Sequence, residues 1–258
     1  MKYLINLSDN EWRLTTEFWQ SRPLSRPDAE RTHNHGAWDI APTSRSRDRR
    51  AEQLLGKTGF KGIYAPEDGE LGFWIAYRDD RSRWIGEAAS TYPKKLFDIK
   101  NHYYFYDIYG GLAVLKGKDG TTHVMAHIEA EDLINYIIPY LNSRKQPPKG
   151  MRGQKVEPVH LKLYEVETSS SLGSRFPFTF LSNFDDPINV KAGELIGTIG
   201  NAGFSTGPHI HYEIHPSASF TRHRERIDPA TVWPDVWENH RNDHRRFYDF
   251  ESHKERWT

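Results

Sequence analysis

The chain has 258 residues, enough for one substantial domain with its own core or for two small ones. Lys plus Arg and Asp plus Glu balance at 35 each, so the basic excess of a protein that tracks nucleic-acid backbone is missing. Cysteine is absent, which excludes disulfides, thiolate zinc sites, iron–sulfur clusters and cysteine nucleophiles; any metal must be held by His, Asp or Glu.

The opening stretch, MKYLINLSDNEWRL, has one early lysine and a short apolar run before Ser8. That run is shorter than the core of a secretory signal, and no segment approaches a transmembrane span. Residues 1–32 read as an N-terminal extension packing on the domain that follows. His35 and Asp39 then stand four apart in HGAWD. On a helix they would share a face, but Gly36 and Pro42 point to a loop entering a strand, and a loop can bend both side chains onto one ion.

Further along, Arg45–Leu55, charged and containing Ala and Leu, predicts a helix. Ile63–Pro66 and Leu71–Tyr77 predict strands on either side of a turn at EDGE, and Tyr103–Tyr109 is a strongly aromatic strand candidate. Gly111–Lys116 and Thr121–Ile128 flank GKDG, a hairpin signal because Asp-Gly supplies the positive φ of a tight turn. Ala130–Asn142 has apolar residues at roughly helical spacing, with Pro139 set to kink or end it. Ser143–Lys155 is a loop by composition. Pro187–Val190, Leu195–Ile199 and Ile210–Ile214 complete a series made mostly of short strands, with no internal repeat.

The last of these strands follows a Gly-Pro turn in STGPHIHYEIHP. Residues two apart on a strand point the same way, so His209 and His211 share a face while Ile210 and Tyr212 take the other. Such a pair can meet a metal, a substrate or only solvent. A catalytic zinc commonly takes three protein ligands and a water, and His35, Asp39 and one of His209 or His211 meet that number. There is no HExxH, so the helical zinc-protease pattern does not apply. His33 competes with His35, but the spacing to Asp39 favours His35. His123 shares a face with His127 if Thr121–Ile128 is one continuous strand. Glu213, on the face of both H-x-H histidines, is suited either to orienting a ligand or to an ordinary pairing with a lysine. His102, His160, His215, His223, His240, His244 and His253 read as solvated or locally hydrogen-bonded groups.

GNAGFSTGPHIHYEI (Gly200–Ile214) resembles the signature of the lysostaphin-type zinc metallopeptidases, a family that includes many peptidoglycan endopeptidases. The resemblance extends outward in order. HGAWDIAP is similar to the family's H-x-G-x-D segment, with Ala37 in place of glycine, and IYAPEDGEL is similar to the strand-turn-strand after it. HVMAHI resembles the segment carrying a lone catalytic histidine, with Met125 where an aromatic is common. VKAGELIGTIGNAG resembles the approach to H-x-H, with Ala202 where threonine or serine is common. The similarity spans about residues 33–230.

The resemblance implies a mainly β fold: an antiparallel β-sheet groove, similar to a duplicated hybrid motif, with helical and loop insertions. It implies one Zn²⁺ per chain held by His35, Asp39 and His211, with His127 and His209 as catalytic groups. Two neutral imidazoles and one carboxylate leave such a centre at formal charge +1, which favours ionised water and a developing oxyanion. The expected activity is hydrolysis of peptide bonds in peptidoglycan stem peptides or cross-bridges. The alternative is a non-catalytic wall-binding or structural component of a phage tail or secretion machine that retains the fold. Expected partners are the wall peptide and a phage-tail or delivery-particle component, without nucleic acid or a membrane span. The expected site of action is the cell wall or periplasm, reached after lysis or by particle-borne delivery. Insertions near 43–62 and 129–186 interrupt the 33–230 domain and are expected to wall the groove or only to pad the surface. Residues 231–258 are an aromatic and charged segment expected to pack its aromatics on the domain, the alternative being a grip on a sugar–peptide polymer or a partner subunit.

Overall fold

Nine strands, every pairing antiparallel, form the central sheet of the computed structural model, which describes residues 4–6, 11–16, 21–22, 33–77, 110–144, 158–169, 175–202, 205, 207–217 and 225–240. The main path runs β1 (Trp12–Thr16), β4 (Trp38–Pro42), β13 (Ile210–His215), β8 (Thr122–Ala126), β7 (Gly111–Gly117), β6 (Gly69–Tyr77), β10 (Arg175–Ser182), β9 (Lys162–Ser169), and β11 (Ile188–Val190) also pairs with β6. Two ribbons lie apart from it, β5 (Gly62–Tyr64) with β12 (Leu195–Thr198), and β2 (Ser21–Arg22) with β3 (His33–Asn34). The fold is therefore mainly β, as expected. The aromatic run Tyr103–Tyr109, and Phe247, Tyr248, Phe250 and Trp257 near the C-terminus, lie outside the described residues.

The β7–β8 hairpin forms where the Asp-Gly signal stands. Gly120 takes φ +91°, and the Asp119 carboxylate accepts from the Thr121 amide at 2.8 Å, so the turn closes on itself. The EDGE turn has a different outcome: it carries the chain from the β5–β12 ribbon to the main sheet, because β5 and β6 pair with other strands. Trp38, Ile40, Met125, Tyr212 and Ile214, all inaccessible to solvent, lie on one face of the central strands and join the core.

The first insertion is tied to that core by one carboxylate. Asp48 caps α1 (Arg49–Leu55) by accepting from the Ala51 amide at 3.1 Å, and also accepts from Asn6 Nδ2 at 3.0 Å, Gly62 N at 2.9 Å and Tyr64 Oη at 2.9 Å. The helix starts at Arg49, not Arg45, because that cap selects the start, and it ends at Gly56 in the left-handed conformation. Asp48→Ala removes the cap and strands buried donors, so stability is expected to fall by roughly 3–5 kcal/mol. A lowered denaturant midpoint at unchanged slope would check it.

The predicted helix at Ala130–Asn142 is present in a modified form. It runs as α2 (Ala130–Asp132), a wide π-helical turn over Leu133–Ile137, and α3 (Ile138–Arg144). Pro139 neither ends nor breaks it. The Ile138 amide reaches back to the Leu133 carbonyl, so a wide π-helical turn stands directly before Pro139, which has no N–H to place in the ladder. Ser143 and Arg144, expected in a loop, close this helix. The rest of the described second insertion is the β9–β10 hairpin, which lengthens the sheet beyond β6. Three strands separate β10 from β13 in the sheet.

The N-terminal residues pack inward: β1 pairs with β4, and Leu4, Ile5, Trp12 and Leu14 are buried in the core. Near the other end, Asp228 caps α4 (Pro229–Val232), with Pro229 in its first turn, and α5 (Pro234–His240) follows. Trp233 and Trp237 each lie 6.4 Å from Trp38 between ring centroids, and His240 stacks on Trp12 at 3.8 Å. Among the described residues, no helix is long and apolar enough to cross a membrane.

Candidate metal centre

Strand register assembles the centre. On β13, His211, Glu213 and His215 share a face, and Ile210, Tyr212 and Ile214 take the opposite one. His211 stands directly across from Asp39 on β4 and from Ala126 on β8. The neighbouring pair Tyr212 and Trp38 points into the core, which fixes the parity of both strands: a slip by one residue would bury the polar face. His35 reaches the same point from the loop before β4, where Gly36 turns the chain with φ +69°.

Three donor atoms from distant parts of the chain therefore converge. His211 Nδ1 lies 2.9 Å from Asp39 Oδ1 and 3.2 Å from His35 Nε2, and His35 Nε2 lies 3.3 Å from Asp39 Oδ1. The three side chains are buried. Tetrahedral ligands with bonds of about 2.0–2.1 Å are spaced about 3.3 Å apart, so the triangle suits a small borderline cation, and two imidazoles with one carboxylate are a donor set that zinc accepts. Burial alone would raise the Asp39 carboxyl, yet His35 and His211 beside it, with His209 beyond, hold it well below the usual carboxylate range.

His209 and His127 flank this triangle without entering it. His209 Nε2 is 3.7 Å from Asp39 Oδ1, and its ring centroid is 4.4 Å from that of His127. In both rings Nδ1 faces a backbone carbonyl, Gly207 O at 2.8 Å from His209 and Ala202 O at 2.8 Å from His127. A carbonyl can only accept, so each Nδ1 carries a proton and each ring, when neutral, presents Nε2 as an acceptor. Both carbonyls belong to the segment leading into β13, so one loop orients both rings.

His127 is the only non-glycine residue with positive φ among those described, at +68°. A non-glycine residue pays for that conformation, and here its surroundings hold it. The Ile128 amide donates to Gly111 O at 3.1 Å, the Ala202 amide approaches His127 O at 3.4 Å, and a Cβ on Gly200 would sit 2.5 Å from that same oxygen. This left-handed residue also overturns the expectation for His123. The strand stops at Ala126, the alternation is lost, and His123 points away from the centre, with Nδ1 2.6 Å from Tyr212 Oη and Nε2 2.6 Å from Glu67 Oε1.

Burial, reinforced by the imidazoles of His211 and His209, pushes His127 down to about 3. The unfolded state then binds the extra proton between about pH 6.5 and 3, so this residue destabilises the fold as pH falls through that window and contributes nothing above it. At pH 5 the loss is roughly 2 kcal/mol. Metal-free His127→Gln should therefore show a shallower decline of stability between pH 7 and 5 than the parent, measured by urea unfolding. A parallel pair of pH curves would contradict the buried neutral ring.

Sequence reading did not find Arg226, whose Nη1 donates to Glu213 Oε1 at 2.7 Å; no motif marks it. Glu213 pairs with His211, His215 and Arg226 instead of a lysine. His215, read as an ordinary histidine, is wholly buried beside it.

No protein-family model and no curated protein matches the sequence. Similar solved structures include a zinc-containing peptidase from Vibrio cholerae, 14% identical, covering 88% of this chain and 38% of that one with a TM-score of 0.37. The antimicrobial peptidase lysostaphin from Staphylococcus simulans is 13% identical, covering 92% and 55% with a TM-score of 0.39. A complex of SpoIIIAH and SpoIIQ is 10% identical, covering 88% and 99% with a TM-score of 0.35. The chain thus spans about two-fifths of the first of these proteins and about half of the second.

Proposed function

We propose that this chain is a zinc-dependent endopeptidase that hydrolyses peptide bonds in the stem peptides or cross-bridges of peptidoglycan. The supporting observation is the donor triangle of His35, Asp39 and His211, with edges of 2.9–3.3 Å, flanked by two imidazoles that both present Nε2. His35, Asp39 and His211 would hold the zinc. The bound ion supplies Lewis acidity, bringing the pKa of water from 15.7 to about 7 and polarising the scissile carbonyl.

The chain's own residues divide the remaining work. His127 is neutral at physiological pH, and its Nε2 accepts a hydrogen bond that orients the attacking water. His209, with its side chain more exposed than those of the three donors, takes the proton as attack proceeds and returns it to the departing amine. Asp39 remains ionised and offsets the cationic charge of the centre.

The test is digestion of purified sacculi from Gram-negative and Gram-positive cells, with mass spectrometry of the released fragments. New amino termini within stem or bridge peptides, lost on chelation and restored by Zn²⁺, are the expected result. Intact peptides in both wall types would sink the reading, and wall binding that survives loss of His127 and His209 would assign a non-catalytic role.

A further inference from the structure

The two segments that carry the donors are joined behind the centre by one buried guanidinium. Glu213 is fully buried. Its Oε1 accepts from His211 Nε2 at 2.8 Å and from Arg226 Nη1 at 2.7 Å, while Oε2 accepts from His215 Nε2 at 2.8 Å. The same Arg226 Nη1 donates to the carbonyl of Gly36, at 3.2 Å, and Gly36 follows His35 directly. Backbone pairing sets where Arg226 stands: the Ile227 amide donates to Ile214 O at 2.9 Å, placing residue 226 beside the end of β13.

This arrangement does two things for the donors. The carboxylate of Glu213 takes the Nε2 proton of His211, so the ring turns Nδ1 toward Asp39 and His35. The guanidinium holds that carboxylate in place and, through Gly36, also anchors the loop that carries His35. A buried ion pair adds little net stability over an apolar pair of the same volume. What a shared nitrogen with two fixed acceptors supplies is geometry between strands distant in sequence.

We propose that Arg226 is a positioning residue of the metal centre, setting the tautomer of His211 through Glu213 and the separation of His35 from His211 through the Gly36 carbonyl. The inference rests on reading His35, Asp39 and His211 as metal ligands.

The experiment titrates the full metal-free chain with Co²⁺ and records visible absorption, which reports ligand geometry directly, alongside thermal melts. The parent is expected to take up one Co²⁺ with tetrahedral-type bands, and Asp39→Ala to lose them. Failure of the parent to bind would defeat the ligand reading itself and the inference with it. Given a binding parent, Arg226→Met should bind about 10–100-fold more weakly with shifted bands. Arg226→Lys, which keeps the charge and can donate to both acceptors, should recover part of that affinity. Because Arg226→Met removes the guanidinium beside the buried Glu213 carboxylate, Glu213→Gln combined with Arg226→Met provides a version without that buried charge, judged by the same affinity criterion. Folded Arg226→Met or double variant with a lowered melt but parental bands and an affinity within twofold would make Arg226 purely structural and overturn the proposal.

Discussion

Replacing His209 or His127 by alanine is expected to lower kcat on wall peptides by about 10²–10⁴-fold while one zinc per chain is retained. Neither ring is one of the three converging donors; His209 keeps its Nε2 3.7 Å from Asp39 Oδ1. Loss of either ring therefore removes proton transfer or water orientation without emptying the centre. The two differ in their effect on the fold. His209→Ala deletes a ring that is partly exposed, whereas His127→Ala deletes a buried ring and leaves a Cβ at positive φ, so the backbone strain stays. Steady-state kinetics with metal content measured on the same samples checks both. Full activity in either variant with zinc bound would remove that histidine from the mechanism.

Asp39→Ala is expected to abolish both stoichiometric zinc and activity. Asp39 supplies the only negative charge among the three donors, and its Oδ1 touches both His35 and His211. Without it the remaining donors are neutral imidazoles, a poorer match to a dication. The metal contributes several kcal/mol of charge stabilisation, so at 1.36 kcal/mol per tenfold the rate falls on the order of 10³-fold or more. Asp39→Asn, which keeps the shape but not the charge, should fall between parent and alanine in affinity. Metal analysis after dialysis and fragment release from sacculi are the measurements. A variant that retained one tightly held zinc and parental turnover would place the centre elsewhere.

The site was legible where chemistry follows from local spacing. Two residues apart on a strand means one face, so the shared face of His211 and Glu213 could be read directly, as could the Asp-Gly hairpin between β7 and β8. The helix over Ala130–Arg144 was also legible in outline, though not the wide turn that accommodates Pro139. No local signal marks β1 and β10, whose partners β4 and β6 are far away in the chain, and among the described residues β9 pairs only with β10. His123 was misplaced for a related reason. Alternation predicts a face only while the strand continues, and the left-handed step at His127 is held by Gly111 and by the loop before β13.

The donor types, the side-chain parity of β13 and the passage from loop to strand through HGAWD are set locally, because each depends on bonds and steric limits within a few residues. Long-range pairing is what sets Asp39 opposite His211, turns the Nδ1 of both flanking imidazoles to carbonyls of one loop, and makes Arg226 bridge Glu213 and Gly36. Those relations depend on register and burial between segments up to 190 residues apart, which no local pattern encodes.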